Sequence, residues 1–225
     1  MTKSELRKEI KASLAGLDPV GKAFESMSKC SAVIQSEIFQ KCRCVFGFMP
    51  MKDEVDVLPV LRAGLQNKKK VLIPRIIDGT NDMEFYFLTD EPNSQVEVNG
   101  WGIAEPKSDL RKCNLDELLS ELKADEILVL VPGLAFGKDN TRLGRGKGFY
   151  DKFLSELKKK TAALGKSKPW ICGICYNAQV VDSVPVEEND IKVDVVLWFY
   201  SSCFPSGAIP GAFGLIPYFL NAILM

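Results

Sequence analysis

Val131-Pro132-Gly133-Leu134-Ala135-Phe136-Gly137 is followed, four residues later, by Arg142-Leu143-Gly144-Arg145-Gly146-Lys147-Gly148-Phe149-Tyr150-Asp151. An apolar strand comes first. A loop follows in which glycines alternate with cations, and an acid closes it. Glycine lets the backbone approach a ligand closely, because no Cβ stands in the way. Arg145 and Lys147 supply positive charge. A helix that begins near Gly148 adds its N-terminal dipole, which favours an anion. Asp151 falls in that helix's first turn, where a carboxylate can hold a metal ion that bridges phosphates. Strand, glycine loop and helix together predict a nucleotide phosphate site in an α/β fold.

The loop is not one of the common phosphate motifs. A P-loop has four residues between its glycines and Ser or Thr after the Lys, whereas Gly148 follows Lys147 here. A dinucleotide fingerprint has a longer last interval between its glycines. A solvated glycine-rich turn is the competing reading. The apolar strand before the loop, and the acid and aromatic pair at its end, favour the anion site.

Working outward, the pattern alternates strands with helices. Thr2 and Glu5 form a capping box before a helix that carries Leu6, Ile10 and Leu14. Asp18-Pro19 opens a second helix through about Gln40. A strand over 45–49 precedes a helix that carries Val57, Leu61 and Leu65, with Asp53 as its cap. A strand over 71–73 follows. Residues 83–106 read as a hairpin or an added edge. A helix over 115–122, a buried strand over 127–131, a helix from 148 to about 159, and strands over 170–174 and 193–197 complete the pattern. The expectation is a three-layer α/β/α sandwich with a mostly parallel sheet and an added hairpin. Ligands then bind beyond the carboxyl ends of the strands. Residues 1–199 form one domain. Residues 200–225 form an appended tail that is apolar, uncharged and broken by Pro205, Pro210 and Pro217.

Composition narrows the chemistry. Lys plus Arg and Asp plus Glu both count 29, so no global field favours nucleic acid or an anionic membrane. The longest apolar piece of the tail is well short of the roughly 20 residues that span a bilayer. No apolar core follows the charged start, so a secretory leader is not expected. The seven cysteines form no regular framework, which suits a reducing, cytoplasmic compartment. Cys172-Gly-Ile-Cys175 lies in an apolar strand and reads as buried thiols, because a zinc site needs a second partner pair. There is no histidine. That removes the commonest general base and every Ser-His or Cys-His pair. Phosphoryl transfer suits the remaining set of carboxylates, cations and backbone donors, since it depends on positioning and charge neutralisation.

The loop resembles that of the 5-formyltetrahydrofolate cyclo-ligase (methenyltetrahydrofolate synthetase) family. Lys3-Ser4-Glu5-Leu6-Arg7, Met49-Pro50-Met51-Lys52-Asp53-Glu54, Val71-Leu72-Ile73-Pro74-Arg75 and Pro185-Val186-Glu187-Glu188-Asn189-Asp190 match as well, in the family's order. The resemblance implies ATP-dependent closure of 5-formyltetrahydrofolate, with or without a polyglutamate tail, to 5,10-methenyltetrahydrofolate. It assigns the segment 3–7 and the loop from Arg142 to Tyr150 to ATP. It places Arg7, Met49, Glu54, Trp101 and the loop residues Arg145 to Phe149 at the folate. Asp151 and Asp190 match the acids assigned to Mg2+. Arg145 and Lys147 are the expected catalytic cations. Arg75 is a candidate for phosphate or the folate glutamate. Trp101 either stacks on a flat ring or packs a hairpin. The family form has tyrosine at both 149 and 150, so Phe149 departs from it and offers no hydroxyl. A monomer is expected, with no nucleic-acid partner and membrane contact a minor alternative. Two rivals remain: a sugar-phosphate isomerase on a similar sheet, and a folate-binding protein without activity.

Overall fold

A computed structural model describes residues 1–100, 102–165 and 167–198. Trp101 and the tail therefore lie outside the described residues, and so do the expectations placed on them. In chain order the elements are α1 (Lys3–Ala15), α2 (Pro19–Gln35), α3 (Glu37–Lys41), β1 (Cys44–Phe46), α4 (Leu58–Gln66), β2 (Lys70–Ile76) and β3 (Met83–Leu88). Then come β4 (Val96–Val98), β5 (Ala104–Pro106), α5 (Leu115–Glu121), β6 (Ile127–Val131), β7 (Ala135–Gly137) and β8 (Arg142–Leu143). The series ends with α6 (Phe149–Ala163), β9 (Trp170–Ile174), β10 (Val180–Val181) and β11 (Val195–Leu197).

The central sheet runs β11-β9-β6-β1-β2-β3. Its pairings are parallel except for β3, which lies antiparallel on β2 as an added edge. A second hairpin, β4-β5, forms its own two-stranded sheet and bonds to the end of β2 through Glu97, Glu105 and the Pro106 carbonyl. Alternate strand residues face opposite layers, as the two-residue period of a strand requires. Val45, Leu128 and Leu130 join Leu6, Ile10 and Leu14 of α1 and Cys30 and Val33 of α2 in one apolar cluster. Cys44, Phe46, Ile127 and Val129 join Leu118 and Leu119 of α5 and Leu154 and Leu157 of α6 in another. Helices thus cover both faces, and the expected sandwich is present.

Several local expectations change. The second helix breaks at Ser36, whose hydroxyl accepts the Phe39 N–H and caps α3 as a separate helix. Asp53 is not a cap. The helix after β1 begins only at Leu58, and it is Asp56 whose carboxylate accepts the Leu58 N–H. Asp53 is bound instead by Arg145. The strand expected over 45–49 is shorter, and the last strand starts two residues late. A small sheet, β10-β7-β8, adds to the expected elements. Its hairpin turns at Asn140, which adopts φ +67°, tolerable for Asn in the left-handed region. Cys172 and Cys175 are buried on opposite faces of the sheet as free thiols. Burial pushes the Cys175 thiol up to about 12.

Candidate active site

The capping box fixes where α1 starts. The Thr2 hydroxyl accepts the Glu5 N–H at 3.2 Å, and Glu5 Oε2 accepts the Thr2 N–H at 2.7 Å. That fixed start sends Lys3 and Arg7, one turn apart, toward the glycine loop. Lys3 Nζ donates to Asp190 Oδ2 at 2.6 Å and lies 3.2 Å from Glu187 Oε2. Burial alone would lower the Lys3 pKa, but the two carboxylates outweigh it and raise it. Arg7 Nε donates to the Gly144 carbonyl at 3.0 Å. A Cβ built on Gly146 would stand 3.6 Å from the Arg7 guanidinium carbon, and Gly146 has φ +107°. The backbone there suits glycine alone. Ser4 lines the cleft with Lys3 and Arg7, whereas Leu6 is fully buried in the core and Glu5 is engaged in the cap.

The loop itself springs from the β7-β8 hairpin. Leu143 is core, and Arg142 is nearly buried. The Arg142 guanidinium pairs with Asp151 at 2.8 Å, donates to the Pro132 carbonyl at 3.3 Å and sits over the Tyr150 ring. Asp151 also accepts the Ile191 N–H at 3.2 Å. This contact brings the two acids expected at the metal to adjoining segments. Gly148 has φ +74° and caps α6 without a side chain. The first N–H groups of α6 are left without a capping side chain, which is the arrangement an anion uses. Lys147 is exposed and has no charged partner among the described residues.

Arg145 spans from the loop to the segment after β1. Its Nη2 donates to Asp53 Oδ1 at 2.6 Å and to Glu54 Oε1 at 3.0 Å, and its Nε reaches the same Glu54 oxygen at 3.2 Å. Glu54 Oε2 accepts the Met51 N–H, and the Tyr176 hydroxyl donates to the Glu54 carbonyl. Burial raises the Glu54 pKa, against the pull of Arg145. Burial would also raise that of Asp53, but the bond from Arg145 outweighs it and holds the carboxyl below its ordinary range. The Tyr150 hydroxyl and Arg142 Nε are buried in this region with no hydrogen-bond partner.

These groups surround one cleft of about 1690 Å³. That is room for more than one small ligand. It lies past the carboxyl ends of β1, β2 and β6, where Met49, Ile76 and Pro132 stand. Segments at the start, middle and end of the chain meet here: Lys3, Arg7, Met49, Glu54, Arg142 to Asp151, and Asp190 all line it. Arg75 does not. Its Nη1 donates to Glu97 at 2.7 Å and to the Pro106 carbonyl at 2.8 Å, so the hairpin neutralises it. Glu105, missed in the sequence, is buried in the lining and accepts the Ile76 N–H at 2.9 Å. Nothing in a three-residue strand that ends in proline marks such an acid.

Among the described residues no three His, Cys, Asp or Glu groups come together as a metal cage. Mg2+ is ordinarily held by one or two carboxylates plus substrate phosphates and water. Asp151 and Asp190 fit that donor set. No helix among the described residues is long and apolar enough to cross a membrane.

The model of the 5-formyltetrahydrofolate cyclo-ligase family matches residues 1–198. The mouse 5-formyltetrahydrofolate cyclo-ligase is 32% identical over 198 residues, covering 87% of this chain and 93% of that protein. A probable 5-formyltetrahydrofolate cyclo-ligase of Schizosaccharomyces pombe is 32% identical over 204 residues, covering 88% and 95%. The solved Aquifex aeolicus 5,10-methenyltetrahydrofolate synthetase matches with a TM-score of 0.66 at 27% identity, over 88% of this chain and 90% of that one.

Proposed function

The chain belongs to the 5-formyltetrahydrofolate cyclo-ligase family, and on that footing we propose how its cleft carries out the family's ATP-dependent reaction. The enzyme is a ligase that converts 5-formyltetrahydrofolate and ATP to 5,10-methenyltetrahydrofolate, ADP and phosphate. The formyl oxygen attacks the γ-phosphorus, the bond to ADP breaks, and the formyl carbon becomes activated. The second folate nitrogen then attacks that carbon, and phosphate leaves as the ring closes, taking up the proton that this nitrogen gives up. The nucleophile at each step belongs to the substrate, so a chain without histidine suffices.

The protein's task is to hold both substrates in line and to neutralise charge. Lys147, Arg145 and the N-terminal N–H groups of α6 receive the transferring phosphoryl group. Lys3 and Arg7 bring further cations from α1, and Arg7 also holds the loop in place. Met49 and Glu54 form the folate wall. Asp151 and Asp190 would hold Mg2+, which when bound neutralises phosphate charge. The substrate carries one or several glutamates, and the enzyme works as a cytoplasmic monomer.

One observation carries these assignments: Lys3, Glu54 and Lys147, far apart in sequence, line a single cleft at the sheet's carboxyl edge. The test is ATP-dependent conversion of 5-formyltetrahydrofolate, followed by the near-ultraviolet absorbance of the methenyl product. Product that appears only with both substrates is expected. Folate binding without turnover would instead indicate a non-catalytic binder.

A further inference from the structure

The geometry points to Asp53 as the residue that positions Arg145 for the reaction, a role that rests on Arg145 acting as a phosphoryl-transfer cation. Asp53 and Glu54 are consecutive, yet they serve Arg145 from different places. Glu54 lines the cleft, its side chain is 8% exposed, and the Met51 N–H locks its second oxygen. Asp53 lies outside the lining, with its side chain 30% exposed. Both bonds from Arg145 to Glu54 end on one oxygen, Oε1. A single acceptor leaves the guanidinium free to pivot about it. The 2.6 Å bond from Nη2 to Asp53 Oδ1 supplies a second fixed point. With Nε and Nη2 held, Nη1 is the nitrogen without a partner among the described residues, and it is the one left for an incoming oxygen.

Among the described residues the other cation that acts on Asp53 is Lys11, and its effect is weaker than that of Arg145. Asp53 caps no helix, and Arg145 is the one side chain that it bonds among the described residues. A partly exposed ion pair contributes little to stability. Loss of the pair should therefore show in turnover rather than in melting.

The experiment compares Asp53→Asn, Asp53→Ala and Arg145→Ala with the wild-type full chain. Both Asp53 variants should lose about tenfold in kcat, within the range that misplacement of a reacting group gives. The KM for ATP should stay within about twofold, as expected for an interaction realised in the transition state. Melting should be unchanged. A kcat lowered while the KM for ATP and the melting point hold is a readout that a merely structural role would not give. Wild-type kcat in Asp53→Asn, or a lowered kcat accompanied by an equally lowered melting point, would overturn the proposal while the family reaction stands. Full turnover by Arg145→Ala would remove the reading on which it rests, and a wild-type protein that forms no methenyl product would remove the catalytic reading altogether.

Discussion

Lys3 Nζ lies 2.6 Å from Asp190 Oδ2, although 187 residues separate them. The first helical turn and the loop before the last strand thus close on each other across the cleft. Arg142 and Asp151 repeat the arrangement at 2.8 Å. Each acid expected at the metal holds a cation, and Lys3 and Arg142 are both expected near phosphate. A nucleotide bound with its metal would give each partner a new counter-charge without leaving one unpaired.

Asp151→Asn tests the metal assignment. Turnover at saturating Mg2+ should fall by orders of magnitude. The fold should survive but melt several degrees lower. Asn keeps the shape of the Ile191 contact but leaves the Arg142 side chain, 3% exposed, without its counter-charge. Leaving a buried partner unsatisfied costs about 1–3 kcal/mol. Methenyl formation and a thermal melt measure both effects. Near wild-type turnover would remove Asp151 from the metal.

Lys147→Ala and Arg145→Ala should both lower kcat more than they weaken folate binding, because charge builds up in the transition state. The two should differ elsewhere. Lys147 is exposed and unpaired among the described residues, so its loss should leave melting and folate KM almost unchanged. Loss of Arg145 strips the buried Glu54 of its cation, so folate KM should rise as well. Steady-state kinetics in each substrate separates these patterns. An unchanged kcat with only a raised folate KM in both variants would move the pair to the folate tail.

Much of this site was legible in the sequence because it rests on local rules. Glycines between cations, a strand before them and a helix after them are adjacent in the chain. The capping box likewise fixed the start of α1, and the buried strands 127–131 and 170–174 appear with the expected bounds. What stayed hidden depends on distant partners. Asp53 looked like a helix cap because an acid ahead of an apolar helix usually is one; Arg145, 92 residues on, claims it instead. Arg75 sits at the expected edge, but Glu97 of the hairpin neutralises it. Ser36 ends one helix and starts the next inside a run that periodicity joins. The two-residue strand β8 is too short for any pattern to announce.

Glu54 predicts a pH dependence of stability. Burial holds its folded-state pKa above the ordinary carboxylate value. Its ionised form therefore opposes folding. That penalty is fully present above the folded pKa and is relieved as pH falls toward the unfolded value. Glu54→Gln should melt at or above the wild type at pH 7.5, since Arg145 keeps its 2.6 Å bond to Asp53. The gap should shrink as pH falls through the raised pKa. Folate KM should rise at every pH. Melting curves across pH give the answer, and a variant that melts well below wild type at neutral pH would show that the Arg145 pairing outweighs burial.

Residues 203–225 should be dispensable for the core. The family match ends at residue 198, and β11, the last strand of the described chain, ends at Leu197. Every described residue that lines the cleft lies between Thr2 and Ile191. Removing the segment therefore takes away no sheet hydrogen bond and no site residue among those described. Melting and ATP-dependent methenyl formation should match the full chain. The deleted segment is uncharged and rich in Phe, Leu and Ile, so its removal should also reduce self-association, read by light scattering. A melting point lower by many degrees, or lost turnover, would place part of the folded domain beyond Trp198 and move its boundary toward the C-terminus.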